Sequence, residues 1–232
     1  MRALRPYLLL GLAVFLGVVL ATLPASLLSG WLPSRLELHG LTGTVWDGAA
    51  AELVLDGTPL GRLGWHLRPS SLLRLTVAAD IDLRAEAASL RGGLTLRPSR
   101  VLMVKDLTLD LPLDFLHPHA ATPTWSGRIT GHVREATLEQ GWPVALDGTF
   151  SLDHLRAPNA PDDLGRYRLE FDPRDATAEA LLGRLHDEGG SLSVTAQLRL
   201  QKARAYQLDG DVSARGATSD ELSRALAFLG SP

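Results

Sequence analysis

The sequence predicts a mainly β protein, in which a single N-terminal transmembrane helix precedes an antiparallel β-sheet domain with one or two short helices. Three observations predict this fold class. An uncharged apolar run lies near the first residue, apolar and polar residues alternate through most of the chain after it, and turn dipeptides that contain Gly separate the alternating segments. Together they indicate a membrane-spanning segment that carries a β-rich body.

The uncharged run covers Pro6–Ser34. Its apolar part, Tyr7–Leu28, would measure about 33 Å as an α-helix, which is enough to cross the hydrocarbon core of a bilayer. Arg2 and Arg5 precede the run. The positive-inside rule therefore assigns residues 1–6 to the cytoplasm as a short tail, residues 7–28 to the membrane, and the rest of the chain to the opposite side.

A cleaved signal peptide is the alternative interpretation of the same run. In that case Tyr7–Leu23 is the apolar core of the peptide and residues 19–21 form a small-residue cleavage site. A retained anchor is favoured, because apolar residues continue as far as Leu28 and because Pro24 is unfavourable beside a cleavage site. Trp31 follows the run and suits the interfacial aromatic belt of an anchored helix.

Strict alternation predicts the strands. In Leu73–Ala85 and Asp106–Asp114 every second residue is apolar, which is typical of a sheet with one buried and one solvated face. Pro112 cannot donate to a neighbouring strand, so the second of these segments is predicted to lie at a sheet edge. The turn dipeptides are Asp56-Gly57, Gly92-Gly93, Asp147-Gly148, Gly189-Gly190 and Asp209-Gly210.

Few helices are predicted in the exported part. Thr218–Glu221 matches a capping box that leads into an apolar stripe, and Ala176–Leu185 is a weaker helical candidate. The proline-bearing tract His117–Pro123 divides this part of the chain into two β-rich halves, 35–115 and 125–230, the second of which ends in the capped helix.

Composition excludes several classes of function. The net charge is −3 and the 23 basic residues are scattered, so nucleic acid is not an expected partner. The absence of Cys excludes a disulfide framework and Cys-based metal sites or catalysis. No zincin, serine-hydrolase, dinucleotide-binding, P-loop or EF-hand motif is present, so we expect no enzyme activity, no cofactor and no small-molecule substrate.

Two groups of residues resemble functional sites only weakly. His117-Pro118-His119 offers two imidazoles to a metal, but the proline restrains the backbone between them and no carboxylate lies at ligand spacing. Asp80 and Asp82 lie two positions apart on one strand face, as paired catalytic carboxylates would. Because Arg74 and Arg84 flank them, a solvated sheet face is the favoured interpretation.

Two short motifs carry a family resemblance. Gly43–Ala49 has the sequence GTVWDGA, and it is followed by Leu63–Pro69, with the sequence LGWHLRP, and by Leu72-Leu73. In this order, after an N-terminal apolar span, they resemble the N protein of the type II secretion system, the bacterial machine that exports folded proteins from the periplasm. The segment Leu222–Gly230 also resembles the end of that family.

The resemblance implies a non-enzymatic accessory component of the secretion apparatus. Such a protein would be a single-pass inner-membrane protein with a cytoplasmic N-terminus and a periplasmic C-terminal domain. It would contact other type II secretion components, and membrane lipid through its helix.

A second resemblance concerns the combination of a membrane helix and a curved sheet, which is similar to AsmA-like proteins whose grooves handle lipids. Lipid handling is therefore the alternative function, and many one-sided Leu and Val strands with few helices to cover them favour it. A membrane-tethered hydrolase is the least supported hypothesis, because the sequence displays no nucleophile with acid–base partners.

The motif residues are predicted to be structural, with a partner surface as the alternative role of the tryptophans. Trp65 shares the apolar strand face with Leu63 and Leu67, where its ring fills a core that has few aromatic residues. Gly43 and Gly48 flank a second tryptophan and permit a tight chain reversal. The full motif set is Gly43, Thr44, Trp46, Gly48, Leu63, Trp65, Leu67 and Pro69.

Overall fold

The computed structural model describes residues 4–30, 35–116, 125–156, 163–177 and 179–215, and these residues confirm the predicted mainly β class. They form the α-helix α1 (Leu4–Ala21), with 3-10 helices at Ala25–Gly30, Pro69–Arg74 and Leu113–Leu116. The strands are β1 (Leu36–Gly43), β2 (Asp47–Leu55), β3 (Thr58–Leu67), β4 (Val77–Arg84), β5 (Ser89–Leu96), β6 (Val101–Pro112), β7 (Ser126–Glu139), β8 (Trp142–Arg156), β9 (Tyr167–Phe171), β10 (Ala180–Asp187), β11 (Leu192–Gln201) and β12 (Tyr206–Ala214).

The chain divides into two compact units, residues 1–86 and 87–232. In the first unit β1, β2, β3 and β4 form an antiparallel meander. In the second unit the strands from β5 to β12 follow one another in the same way, each antiparallel to its neighbours in sequence. This is the arrangement that short turns between alternating segments produce.

The apolar N-terminal run forms two helical segments rather than one helix over Tyr7–Leu28. The helix α1 ends at Ala21, and the 3-10 helix Ala25–Gly30 follows it. Pro24 lies between them and has no N–H for a helical hydrogen bond; it forms an antiparallel bridge with Thr44 instead. Within the described residues, the structure contains no helix with both the length and the hydropathy needed to cross a membrane.

Two predicted elements are corrected by the structure. The strand predicted over Leu73–Ala85 begins only at Val77, because Pro69 opens a 3-10 helix that ends with Leu75 in the left-handed region. The helix predicted over Ala176–Leu185 is wrong, since β10 occupies most of that range. Pairing with a strand on each side outweighs the helical propensity of this Ala- and Leu-rich segment.

The strand β6 is not an edge strand, contrary to the prediction from Pro112. It pairs with β5 on one side and with β7 on the other. Pairing with β5 ends at Asp110, so Pro112 occupies the last position of β6, where only β7 lies beside it. The proline is tolerated because it lies past the end of one ladder.

The boundary predicted between 35–115 and 125–230 lies inside the second unit, at residues outside the described part of the chain. The strands on its two sides, β6 and β7, pair directly with each other. The capped helix predicted after Thr218 also lies outside the described residues.

A bulge in β6 keeps its apolar residues on one face. Asp106 has a φ of 49°, and it shares with Leu107 the position opposite Gly92 of β5. As a result Val104 and Leu107, three positions apart, pack in the same apolar cluster. Gly92 is required there, since an added Cβ would lie 2.8 Å from the Cα of Leu107.

Three apolar clusters hold the described residues together. The first unit contains one, centred on Ala25, Ala50 and Trp65. The second unit contains two, one around Val133 and one around Tyr167. Trp65 and Tyr167 lie on apolar strand faces that the alternation predicts, whereas the alternating apolar residues of β12 are exposed.

Candidate functional site: the tryptophan junction and the apolar face

The end of α1 is attached to the β1–β2 turn by the first sequence motif. The indole N–H of Trp46 donates to the carbonyl oxygen of Leu20 over 2.7 Å, and the backbone N–H of Val45 donates to that of Leu23 over 2.9 Å. The carbonyl group of Leu20 is among the last four of α1, which have no intrahelical partner, and Leu23 lies two residues past the end of the helix. We call this arrangement of Leu20–Pro24, Thr44–Asp47 and Trp65 the tryptophan junction.

Trp65 forms the buried side of the junction. Its side chain is 8% exposed and packs with Ala25 and Ala50, so it joins the first 3-10 helix to the sheet. Its indole N–H donates to the carbonyl oxygen of Val45 over 3.1 Å. Two partly buried neighbours in the same cluster are Leu63 and Leu67, the motif residues on either side of Trp65 in β3.

The motif glycines fit tightly into the junction. A Cβ on Gly48 would lie 2.6 Å from Cζ2 of Trp65, a distance that no ordinary contact allows. Gly43 has a φ of 84°, and a Cβ there would lie 2.5 Å from the carbonyl oxygen of Asp47. Thr44 closes the turn: its N–H donates to that oxygen, and its hydroxyl accepts the N–H of Asp47 over 3.1 Å.

The two motifs meet directly although they are separated in sequence. The backbone N–H of Leu67 donates to the carbonyl oxygen of Trp46 over 2.6 Å, and Pro69 then begins the second 3-10 helix. The sequence identified both tryptophans as motif residues but did not identify Leu20 as the hydrogen-bond partner of Trp46. Nothing in an unbroken apolar run marks one carbonyl group as an acceptor.

The polar strand faces are neutralised pair by pair. Asp80 and Asp82 each bind a separate guanidinium, that of Arg68 at 2.6 Å and that of Arg84 at 2.8 Å, so they do not form a shared carboxylate pair. Hydrogen bonding to Asp80, together with its negative charge, raises the pKa of Arg68. In the second unit the corresponding pairs are Arg128–Asp110, Arg134–Asp147, Arg166–Asp153, Arg168–Glu188, Arg184–Asp175 and Arg215–Asp187.

Two aspartates in the second unit have a pKa below the ordinary value. A hydrogen bond with His154 lowers the pKa of Asp163, and the backbone N–H of Gly165 adds to the effect. The pKa of Asp187 is lowered chiefly by the N–H of Val194, which donates over 2.9 Å. These contacts fix strand ends, and no cluster of three or more potential metal ligands occurs among the described residues. The imidazole pair that the sequence only weakly suggested, His117-Pro118-His119, lies outside the described residues.

A small apolar depression lies on strands β7 to β10 of the second unit. The cross-strand register aligns Phe150 of β8, Leu169 of β9 and Leu185 of β10, and Leu152 lies beside Tyr167. These side chains, together with Ile129, line a depression of about 280 Å³. No α-helix is found among the described residues of this unit. We call this surface the apolar face.

Comparison with known proteins decides the family. The family model "Type II secretion system (T2SS), protein N" matches residues 34–232. The chain belongs to the type II secretion system protein N family. The resemblance stated from Trp46 and Trp65 is thereby confirmed, and the matched range includes both motifs.

Two curated relatives carry the family name. Type II secretion system protein N of Vibrio cholerae serotype O1 is 40% identical over 214 residues, which covers 87% of this chain and 81% of the relative. The protein N of Aeromonas hydrophila is 28% identical over 232 residues, covering 95% of this chain and 90% of the relative. No solved structure gives a significant match.

Proposed function

We propose that this protein is a non-catalytic inner-membrane component of the type II secretion system, which supports export of folded proteins from the periplasm across the outer membrane. The observation that carries this proposal is the family match over residues 34–232. The protein acts through contacts with other secretion components. The helix α1 anchors it as a single-pass helix, with a cytoplasmic N-terminus and the strands of both units in the periplasm.

The surface of α1 supports the anchoring role. Leu12, Phe15 and Leu16 are exposed, and among the described residues no strand packs along the helix. A helix that is apolar without a buried face is stable when lipid surrounds it. The tryptophan junction then holds the first sheet at a fixed position relative to the end of that helix.

Secretion assays test the proposal. In a strain in which the gene for this protein is deleted, export of secretion substrates should fall and the other inner-membrane components should become less stable. Expression of the intact gene should restore both export and component levels. A photo-crosslinking residue at exposed Thr108 of β6 should capture a secretion component, whereas the same residue at buried Val104 should not. Normal secretion and normal component levels in the deleted strain would overturn the proposal.

Lipid handling is a second candidate function, and the depression on the apolar face favours it. A depression of about 280 Å³ lined by Phe150, Leu152 and Leu169 has room for part of an acyl chain. If the depression holds lipid, the protein purified without added lipid should release fatty-acyl species on solvent extraction. The Leu169→Arg variant should release less of them. Lipid-free preparations of the unaltered chain would exclude this function.

A further inference from the structure

The first sheet exposes a group of leucines at one end. Leu73 is 89% exposed and Leu75 is 78% exposed, and Leu72 beside them is also exposed. Arg74 lies between them and forms no ion pair with any residue that the structure describes. We call residues Leu72–Leu75 the leucine tip. Exposed apolar side chains that are contiguous in this way are typical of an interaction site.

Hydrogen bonds hold the leucine tip in one conformation. The hydroxyl of Ser71 donates to the carbonyl oxygen of Arg68 over 2.7 Å and accepts the backbone N–H of Ala78 over 3.0 Å. The hydroxyl of Thr76 donates to the carbonyl oxygen of Ser71 over 3.0 Å. Leu75 adopts a φ of 55°, a region that leucine rarely occupies. The leucines are therefore presented by an ordered turn.

The meander places the leucine tip at the end of the sheet from which α1 departs. Because neighbouring strands are antiparallel, the β1–β2 turn and the β3–β4 connection lie at the same end, and the Asp56-Gly57 turn lies at the other. The indole of Trp46 in the first turn donates to Leu20 of α1, and its carbonyl oxygen accepts the N–H of Leu67, two residues before the 3-10 helix that carries the tip begins at Pro69.

We infer that the leucine tip inserts into the surface of the lipid bilayer that surrounds α1, as a second membrane contact of the first unit. The inference rests on the proposed anchoring of α1. The exposed apolar helix and the leucine tip lie at the same end of the first sheet, and Arg74 supplies a positive charge suited to anionic headgroups. Together the helix and the leucine tip would fix the tilt of the first sheet relative to the membrane plane.

Site-specific fluorescence tests the inference on the full chain. The sequence has no Cys, so Leu73→Cys, Leu16→Cys and Leu55→Cys each create one labelling position. Each variant receives an environment-sensitive fluorophore and is reconstituted in vesicles of phosphatidylethanolamine and phosphatidylglycerol that contain spin-labelled quencher lipids. Leu55 is the matched control, an exposed leucine at the opposite end of the same sheet.

Emission from positions 16 and 73 should shift to the blue and be quenched by lipid, while position 55 stays unquenched. Adding Arg74→Glu to the position 73 variant should reduce quenching there and leave position 16 unchanged. Quenching at 16 without quenching at 73 would overturn the membrane contact of the tip and leave the anchor standing. Absence of quenching at 16 would refute the anchor, and a blue shift at 73 without lipid quenching would indicate a protein partner and overturn the lipid assignment.

Discussion

The indole N–H of Trp46 donates to the carbonyl oxygen of Leu20 over 2.7 Å, joining two residues that lie 26 positions apart. The bond satisfies a carbonyl group at the C-terminal end of α1, where the helix itself provides no donor. It thus couples the apolar helix to the first hairpin, and both positions belong to one compact unit.

Trp46→Phe should loosen this attachment while the sheet stays folded. The phenyl ring keeps much of the apolar contact but loses the donor, at a cost of about 1 kcal/mol in the free energy of unfolding. Amide exchange should accelerate in residues 20–23 and 44–46. Trp142→Phe is the control, since Trp142 donates to Gln201 in the second unit, and its effect should appear there alone. Unchanged exchange at both segments of the junction would contradict this role of the bond.

Trp65→Ala should destabilise the first unit strongly. The ring is buried against Ala25 and Ala50, so its removal leaves a cavity that costs about 3–5 kcal/mol. Thermal or denaturant unfolding of the full chain measures the change. Trp125→Ala is a matched control because Trp125 is 46% exposed, and it should cost far less. An unaltered transition in Trp65→Ala together with lost partner binding would assign Trp65 to an interface instead.

Gly48→Ala should act through the same ring. The added methyl group would approach Cζ2 of Trp65 to 2.6 Å, and relief of that overlap should cost about 1–3 kcal/mol. Gly64→Ala in the adjacent strand is the control, since a methyl group there would meet Asp82 at an ordinary 3.7 Å. Similar unfolding midpoints for the two variants would show that the junction has more room than its geometry indicates.

Acid should weaken the second unit through Asp163 and Asp187. Folding lowers the pKa of both carboxyl groups, so their stabilising effect is complete above the unfolded value of about 3.9 and is lost as pH falls through it toward the folded value. The side chain of Asp187 is 6% exposed and pairs with Arg215 at 2.7 Å. Asp187→Asn should lower the urea midpoint at neutral pH and make its decline below pH about 4 shallower.

Asp209→Asn on the exposed strand β12 serves as the control for this pH series. Its urea midpoint should follow that of the unaltered chain at every pH. If Asp187→Asn and the unaltered chain lost stability in parallel below pH about 4, the carboxyl group of Asp187 would have no part in the acid transition.

The strands were largely predictable because alternation and turn dipeptides are local properties. β3 contains the alternating residues Leu63, Trp65 and Leu67 as the pattern indicates, and these residues contribute to the core. The strand prediction failed where the apolar–polar alternation continues beyond the end of the strand. Leu73 and Leu75 extend the alternation of β4, yet Pro69 begins a 3-10 helix there and both side chains are exposed.

Helical propensity misled at residues 176–185 for a different reason. Ala and Leu favour helix in an isolated segment, but strands on both sides supply hydrogen-bond partners to β10. Gly183 also lies against Phe171, where a Cβ would approach the ring to 2.8 Å. Pairing with β9 and β11 makes this segment a strand, and that pairing cannot be read from the composition of the segment itself.

By itself the sequence determined the β class, the antiparallel kind of sheet and the two tryptophan motifs, since each depends on residues close together in the chain. Only the tertiary structure decided that Trp46 binds the end of α1, that Gly48 lies beneath Trp65, and that the leucine tip shares one end of the sheet with the helix. These relationships depend on strand register and on the direction of each side chain, which folding of the whole unit fixes.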